Sequence, residues 1–203
     1  MQIQMIISGV GGQGVLLATR IFSVMALNEG YPLIGSETHG MSQRGGSVVT
    51  HLKIGHFDSP LVRKGGADIL FCLERNEVYR GLAFLKQGSD GSKGGLCFVN
   101  APDPDYMDQA IKAYLEQKGI EMHVFEADRV ARELGVLRSA NIALIGFACA
   151  HPSLPLDPGK IRAAVQMTVP PQFQDVSLRI FDRGLLEGRK RLGGQRVIRR
   201  AAT

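Results

Sequence analysis

Strand-like apolar runs alternate with helical stripes as far as Phe125, a glycine turn joins the first run to the first stripe, and the rest reads as successive helices. Together these observations predict an α/β fold: a Rossmann-like, doubly wound, mostly parallel sheet with a helical C-terminal part. At 203 residues and 44% hydrophobic, the chain can bury a proper core. The organisation expected is a single domain over residues 1–192 and a basic tail over 193–203, solvated or disordered.

Each element has its own signal. Strand-like runs lie at Gln4 to Ser8, Ser47 to Ile54, Asp68 to Leu73, Leu96 to Asn100 and Glu121 to Phe125, with a weaker one at Tyr31 to Ile34. The first helix, Val15 to Asn28, places Val15, Ala18, Phe22, Met25 and Ala26 on one side and stops at Gly30 with Pro32 beyond. A second is expected over Arg75 to Lys86, with Val78, Tyr79, Leu82 and Leu85 on one stripe, and a third over Asp105 to Lys118. Gly88 to Gly95 is a turn. Past the last strand, helices are expected over Asp128 to Leu134, Ala140 to Ala150, Asp157 to about Thr168 and roughly Gln174 to Leu192. Ala140 to Ala150 is apolar nearly all round and so should be buried, and Asp157-Pro158 is an N-cap followed by proline at the first helical position.

The net charge of +5 does not describe the body of the molecule, because Arg189, Lys190, Arg191, Arg196, Arg199 and Arg200 crowd the last residues without an acid. A terminal cluster with no tryptophan in the chain and no aromatic nearby is a poor nucleic-acid footprint. No stretch approaches the roughly 18 apolar residues of a membrane span, and there is no basic, cleavable leader, so a cytoplasmic protein is expected. Cys72, Cys97 and Cys149 are odd in number, far apart and set in apolar runs. They read as small buried hydrophobes and not as a disulfide, zinc or iron–sulfur framework.

Two glycine-rich blocks carry the functional reading. Gly9, Gly11 and Gly14, with Gly12 and Gln13 between them, match G-x-G-x-x-G in strand–turn–helix context, where helix amides face any anion placed there. Glu37 follows at about the distance expected of a ribose-binding carboxylate. The turn is open to three readings: contact with an anion or cofactor, a true dinucleotide site, or a tight packing turn. The second block, Ser36 to Ser47, reads as a long polar loop, whereas structural connections are usually about four to six residues. Its expected substrate- or partner-facing residues are Glu37, Thr38, His39, Gly40, Gln43, Arg44, Gly45, Gly46 and Ser47. Arg44 offers an anion-binding fork, and an ordinary surface ion pair is the competing reading.

Catalytic groups are not evident. His39, His51, His56, His123 and His151 show no metal spacing, and no serine, cysteine or carboxylate pair stands in a nucleophile or acid/base context, so neither a catalytic residue nor a metal site is expected. His51 reads as a half-buried structural histidine and His151 as a helix-end residue. Only His39 falls in a block that looks functional.

Gly9-Val-Gly-Gly-Gln-Gly-Val15 followed by Glu37-Thr-His-Gly-Met-Ser-Gln-Arg-Gly-Gly-Ser47 resembles the gamma-type subunit or domain of the thiamine-dependent 2-oxoacid:ferredoxin oxidoreductases, most closely the beta-subunit type that serves indolepyruvate. The similarity runs through Ala67-Asp68-Ile69-Leu70 and Asn100 to about residue 190. It implies that this chain holds no cofactor, that a larger partner carries thiamine diphosphate, magnesium and iron–sulfur clusters, and that the complex oxidatively decarboxylates indolepyruvate or another aryl pyruvate. Coenzyme A would take the acyl group and ferredoxin the electrons. The subunit would complete the active site or the coenzyme A site, be inactive alone, and form a homodimer, if any, only in isolation. The alternative is an independent nicotinamide- or flavin-binding reductase. It is opposed by the lack of an evident substrate domain.

If Arg44 meets an anion or a partner carboxylate, Arg44→Lys keeps the charge and loses the bidentate fork. The variant is expected to fold with unchanged stability and to lose roughly tenfold or more in assembly affinity or turnover, the scale of a charge-assisted hydrogen bond of about 1.5 to 3 kcal/mol. Titration of the partner and steady-state rates measure it; normal assembly and turnover would make the block a mere connector.

Overall fold

A computed structural model describes residues 1–39, 45–88, 92–103 and 105–192. Gly40, Gln43 and Arg44 and the tail over 193–203 lie outside the described residues. Six strands, β1 (Ile3–Val10), β2 (Leu33–His39), β3 (Ser47–Ile54), β4 (Ile69–Cys72), β5 (Leu96–Asn100) and β6 (Glu121–Phe125), form one sheet in the order β2-β3-β1-β4-β5-β6. β1, β4, β5 and β6 pair in parallel, while β3 is antiparallel to both β1 and β2. Five strands therefore run one way and β3 alone runs against them, the mostly parallel sheet expected.

Both faces of the sheet are covered. Ile3, Met5 and Ile7 of β1 point to a core shared with α1 (Val15–Asn28), α4 (Ala127–Glu133), α5 (Ala140–Ala148), α6 (Pro158–Thr168) and α7 (Gln174–Leu192). Ile6, Leu70, Cys97 and Val99 point to the other, smaller core with Val78, Leu82, Met107 and Leu115, supplied by α2 (Val78–Gly81) and α3 (Gln109–Gln117) and the segments beside them. β4 and β5 are buried along their whole length, as strands covered on two faces must be. Phe22, Phe71 and Phe98 lie ring against ring at 5.1 and 5.5 Å across the first core.

Local chemistry explains the boundaries. Asp108 and Asp157 cap α3 and α6, their carboxylates accepting from the amides of Ile111 and Lys160 at 2.9 and 3.0 Å. α7 spans the residues expected. The helix expected over Arg75 to Lys86 does not form as one piece: a 3-10 turn over Arg75–Glu77, the single turn of α2 and a second 3-10 turn over Leu82–Phe84 replace it. Gly81 sits mid-way, its missing side chain making room for Leu70, and glycine weakens a helix interior by about 1 kcal/mol. Tyr79, expected on the buried stripe, is 44% exposed.

β2 is longer than its apolar signal. Ser36, Glu37, Thr38 and His39 continue the strand instead of opening a loop, pairing with His51, Thr50, Val49 and Val48 of β3. An edge strand needs neighbours on one side only and meets water on the other, so it shows no hydrophobic alternation to read. The expected loop is correspondingly shorter.

α5 and α7 approach until backbone meets backbone. A methyl group at Gly184 would overlap the carbonyl oxygen of Ala143, and one at Gly146 the carbonyl oxygen of Phe181. Gly184→Ala therefore opposes two effects: a helix-propensity gain of about 1 kcal/mol and an overpacking loss of roughly 1 to 3 kcal/mol against backbone that has no side chain to move aside. The loss is expected to win, lowering Tm by several degrees at about 2 to 4 °C per kcal/mol in calorimetry. A raised Tm would show that the helices separate freely.

Candidate functional site

The strand order reverses at β1: the chain goes to β2 and β3 on one side of it and then to β4 on the other. In open α/β sheets the crevice beyond the carboxyl ends of the strands at such a point is the ligand-binding place. Here it lies between the loop Gly9–Gly14 and the residues that follow β4. Gly12 and Gly14 have φ of 95° and 80°, in the left-handed region that glycine enters freely. Gly9 is closely packed, since a Cβ there would stand 2.8 Å from Gln13 Oε1 and 3.1 Å from Leu73 Cβ. At Gly14 a Cβ would overlap the amide of Asn141, whose Nδ2 donates to the Gly14 carbonyl at 2.9 Å.

The loop is filled by its own glutamine. Gln13 Oε1 accepts from the amide of Val10 at 2.9 Å, and Nε2 donates to Glu74 Oε2 at 3.0 Å across the crevice. Ser47 Oγ donates to Glu77 Oε2 at 2.6 Å. The two glycine blocks meet directly, the amide of Gly11 donating to the carbonyl of Gly46 at 2.9 Å. Two carboxylates thus face a loop of the phosphate-binding type, and a neutral side chain already uses one of its amides. Both features disfavour an anion seated deep in the turn.

Beyond the crevice, Asn100 at the end of β5 ties three segments together. Its Nδ2 donates to the Leu73 carbonyl and to Asp128 Oδ2 at 3.2 and 2.9 Å, and its Oδ1 accepts from the amide of Ala127 at 2.9 Å. A cavity of about 120 Å³ opens here, lined by Gly12, Gln13, Asn100, Asp128, Arg138 and Asn141 among others. Small-molecule sites are usually about 300 to 1,000 Å³, so this one suits a small polar group and not a dinucleotide. Arg138, exposed, is its cation, and Leu137 at its rim is 64% exposed. Asn141, Glu74 and Arg138 belong to no motif, so their spacing does not mark them as a site.

The structure divides the second glycine block. Gly45, Gly46 and Ser47 stand beside the first loop and the residues that follow β4. Glu37, Thr38 and His39 belong to β2, a strand and not a loop. Because antiparallel β3 separates β2 from β1, Glu37 lies about two strand spacings, roughly 10 Å, from the strand whose loop it would serve. A ribose-binding carboxylate would stand on the strand next to β1. The dinucleotide reading loses that partner.

All three cysteines are free and buried. Burial pushes the Cys72 thiol up to about 12, against the hydrogen bond it shares with Ser8 and with Glu77 and Glu74 adding to the rise. Cys97 and Cys149 are likewise raised by burial. Thiols that resist ionisation and sit in cores do not fit an iron–sulfur cluster. His51 is buried as a structural histidine, its Nδ1 accepting from the amide of Val62 at 3.1 Å, and His151 follows the end of α5.

Fold and site define an α/β domain of Rossmann type whose strand-end crevice is closed by its own side chains. The chain belongs to the pyruvate ferredoxin/flavodoxin oxidoreductase family, whose profile matches residues 4–187. It is 34% identical over 201 residues to the indolepyruvate oxidoreductase subunit IorB of Thermococcus kodakarensis, covering 93% of this chain and 96% of that subunit. Among solved structures it resembles the gamma subunit of a keto/oxoacid ferredoxin oxidoreductase from Geobacter sulfurreducens, with TM-score 0.67 and 20% identity over 92% of this chain and 98% of that one. The 2-oxoglutarate:ferredoxin oxidoreductase of Magnetococcus marinus superposes with TM-score 0.72 at 13% identity, over 93% of this chain and 31% of that one. The resemblance carried by the two glycine blocks is borne out.

Gln13→Ala removes one bond within the loop and one across the crevice, and leaves the backbone turn. It is expected to lower stability by about 1 to 2 kcal/mol, read from urea unfolding with an unchanged m value. Unaltered stability would show that water replaces the glutamine without loss.

Proposed function

We propose that the chain is the small subunit of an aryl 2-oxoacid:ferredoxin oxidoreductase, indolepyruvate being the favoured substrate, and that it carries neither thiamine diphosphate nor an iron–sulfur cluster. The observation that carries this reading is the end-to-end relation to an indolepyruvate oxidoreductase subunit of nearly the same length. The buried, un-ionised cysteines and the self-filled crevice agree with it. Thiamine diphosphate and clusters on the larger subunit would supply decarboxylation and electron transfer to ferredoxin, with coenzyme A receiving the acyl group.

The contribution of this chain is a surface. Gly9–Gly14, Gly45–Ser47 and the cavity beside Asn100 lie along one edge of the sheet, flanked by Leu16 and Leu137, which are 47% and 64% exposed. Apolar side chains exposed beside a polar crevice suit a protein partner. There the subunit completes the active site or receives coenzyme A, the exposed Arg138 offering a donor to an anionic group. Bonds from Gln13 and Asn141 hold the edge rigid, which limits the ordering that docking would otherwise require. Among the described residues no helix is long and apolar enough to cross a membrane.

The purified chain is expected to be colourless and inactive. Co-expression with its larger partner should give a brown complex that reduces viologen with an aryl pyruvate and coenzyme A, faster than with pyruvate or 2-oxoglutarate. Oxoacid oxidation or reduced-nicotinamide turnover by the chain alone would overturn the proposal, and a preference for pyruvate would overturn the substrate.

A further inference from the structure

The edge of the sheet opposite the crevice gathers three ligand-type side chains from distant parts of the sequence. Glu121 and His123 are two apart on edge strand β6 and share its inner face, and His151 arrives in the turn after α5. His151 Nε2 stands 3.3 Å, and His123 Nε2 4.0 Å, from the same carboxylate oxygen, Oε2 of Glu121. One ligand atom from each of the three lies within 4.8 Å of the others. We propose that Glu121, His123 and His151 bind a divalent first-row transition ion, with zinc as the chemical archetype.

A bland account exists for each histidine. His123 ends the aromatic row that crosses the sheet, stacked on Phe98 at 5.4 Å, and His151 meets Phe98 edge-on at 5.9 Å. Packing does not explain the polar atom. His123 Nε2 is buried and has no hydrogen-bond partner among the described residues, a condition that leaves a desolvation penalty of the kind an ion or water relieves. It lies 4.0 Å from the carboxylate oxygen that His151 meets.

The donors match the ion. Two imidazoles and a carboxylate form a set used for zinc, with bonds of about 2.0 to 2.2 Å and hence ligand separations near 3.3 Å in a tetrahedron. Of the three separations, one already has that value, His123 and Glu121 must close by less than an ångström, and the two rings, within 4.8 Å of each other, by at most about 1.5 Å. Burial holds His123 down to about 4, with His151 lowering it further and Glu121 opposing, while His151 is lowered by burial against Glu121. Glu121 also lines a cavity of about 280 Å³, together with Ser153, Lys93 and Asp68 among others.

Two neighbours must yield. The Ser153 amide donates to His151 Nδ1 at 3.2 Å, which places the ring proton on Nε2. Metal at Nε2 moves that proton to Nδ1, so one long hydrogen bond is given up, no proton is released, and the exposed Ser153 amide turns to water. Lys93 Nζ sits 3.5 Å from the other oxygen, Oε1, but is 56% exposed and swings away freely. The ion would pin the edge strand β6 to the turn after α5, two segments that meet here through the His151–Glu121 contact and through the rings of His123 and His151, 4.8 Å apart between centroids.

The test uses the full chain, free of any affinity tag, stripped with EDTA and titrated with zinc chloride by calorimetry. One zinc per chain with micromolar or tighter Kd is expected, together with a Tm raised by roughly 5 to 10 °C at free zinc about 100 times Kd. His123→Gln and Glu121→Gln, each checked for folding in EDTA, should weaken binding at least tenfold. Should neither fold, long-range 15N–1H spectra of the unsubstituted chain decide: zinc must shift the Nε2 signals of both His123 and His151. Absence of saturable binding below 100 µM, undiminished affinity in both variants, or shifts confined to His39, His51 and His56 would overturn the site.

Discussion

Everything at the functional edge depends on the pairing of β1, which has a parallel neighbour in β4 on one side and an antiparallel one in β3 on the other. A parallel neighbour demands a crossover, whereas an antiparallel one lies beside β1 without any further helix. Once β2 and β3 fold as a hairpin, the turn between them is forced to the same end of the sheet as the loop after β1. The hydrogen bond from Gly11 to Gly46 is the consequence. Two glycine-rich segments far apart in sequence become one surface because of strand direction alone.

That surface has the backbone of a cofactor site and the side chains of something else. Gly12 and Gly14 provide the left-handed turn and α1 provides an N-terminus, both features of phosphate loops. Yet Gln13 occupies the Val10 amide, Glu74 faces Gln13 from across the crevice, and Asn141 holds the Gly14 carbonyl. The glycines are required by close packing at Gly9 and Gly14 whether or not a ligand approaches. A motif shaped by an anion in one protein can persist in another because neutral side chains have taken over its hydrogen bonds. The pattern of glycines then reports geometry, and the residues between them report chemistry.

The sheet and the long helices were legible because their signals are local. Val15 to Asn28 and Gln174 to Leu192 are bounded by stop and start residues that act within a turn, and buried strands such as Leu96 to Asn100 are apolar on both faces. β2 was read short because an edge strand can be polar, and the segment after β4 was read as one helix because the stripe of Val78, Leu82 and Leu85 persists through 3-10 turns as well as α turns. Within the candidate site, Gly9–Gly14 was legible as a turn, but nothing in its spacing showed that Gln13 would reach Glu74. Strand direction hid the failure of Glu37 as a ribose partner, since sequence separation is the same whether or not β3 intervenes.

The same limit explains why the spacing of His123 and His151 shows no metal motif. Metal motifs with short spacings work because one helix or one turn brings the ligands together; here a sheet edge and the end of a buried helix do so. α5 is fixed against α7 by Gly146, Gly184 and Gly188, so the position at which the chain leaves α5 is set by backbone contact and not by flexible side chains. His151 is delivered to β6 by that rigid packing, and Phe98 holds both rings from below. The precision a binding cluster needs is thus a by-product of the core. The edge that carries the two glycine loops and the histidine cluster, at opposite ends of the strands, can therefore be altered independently of each other.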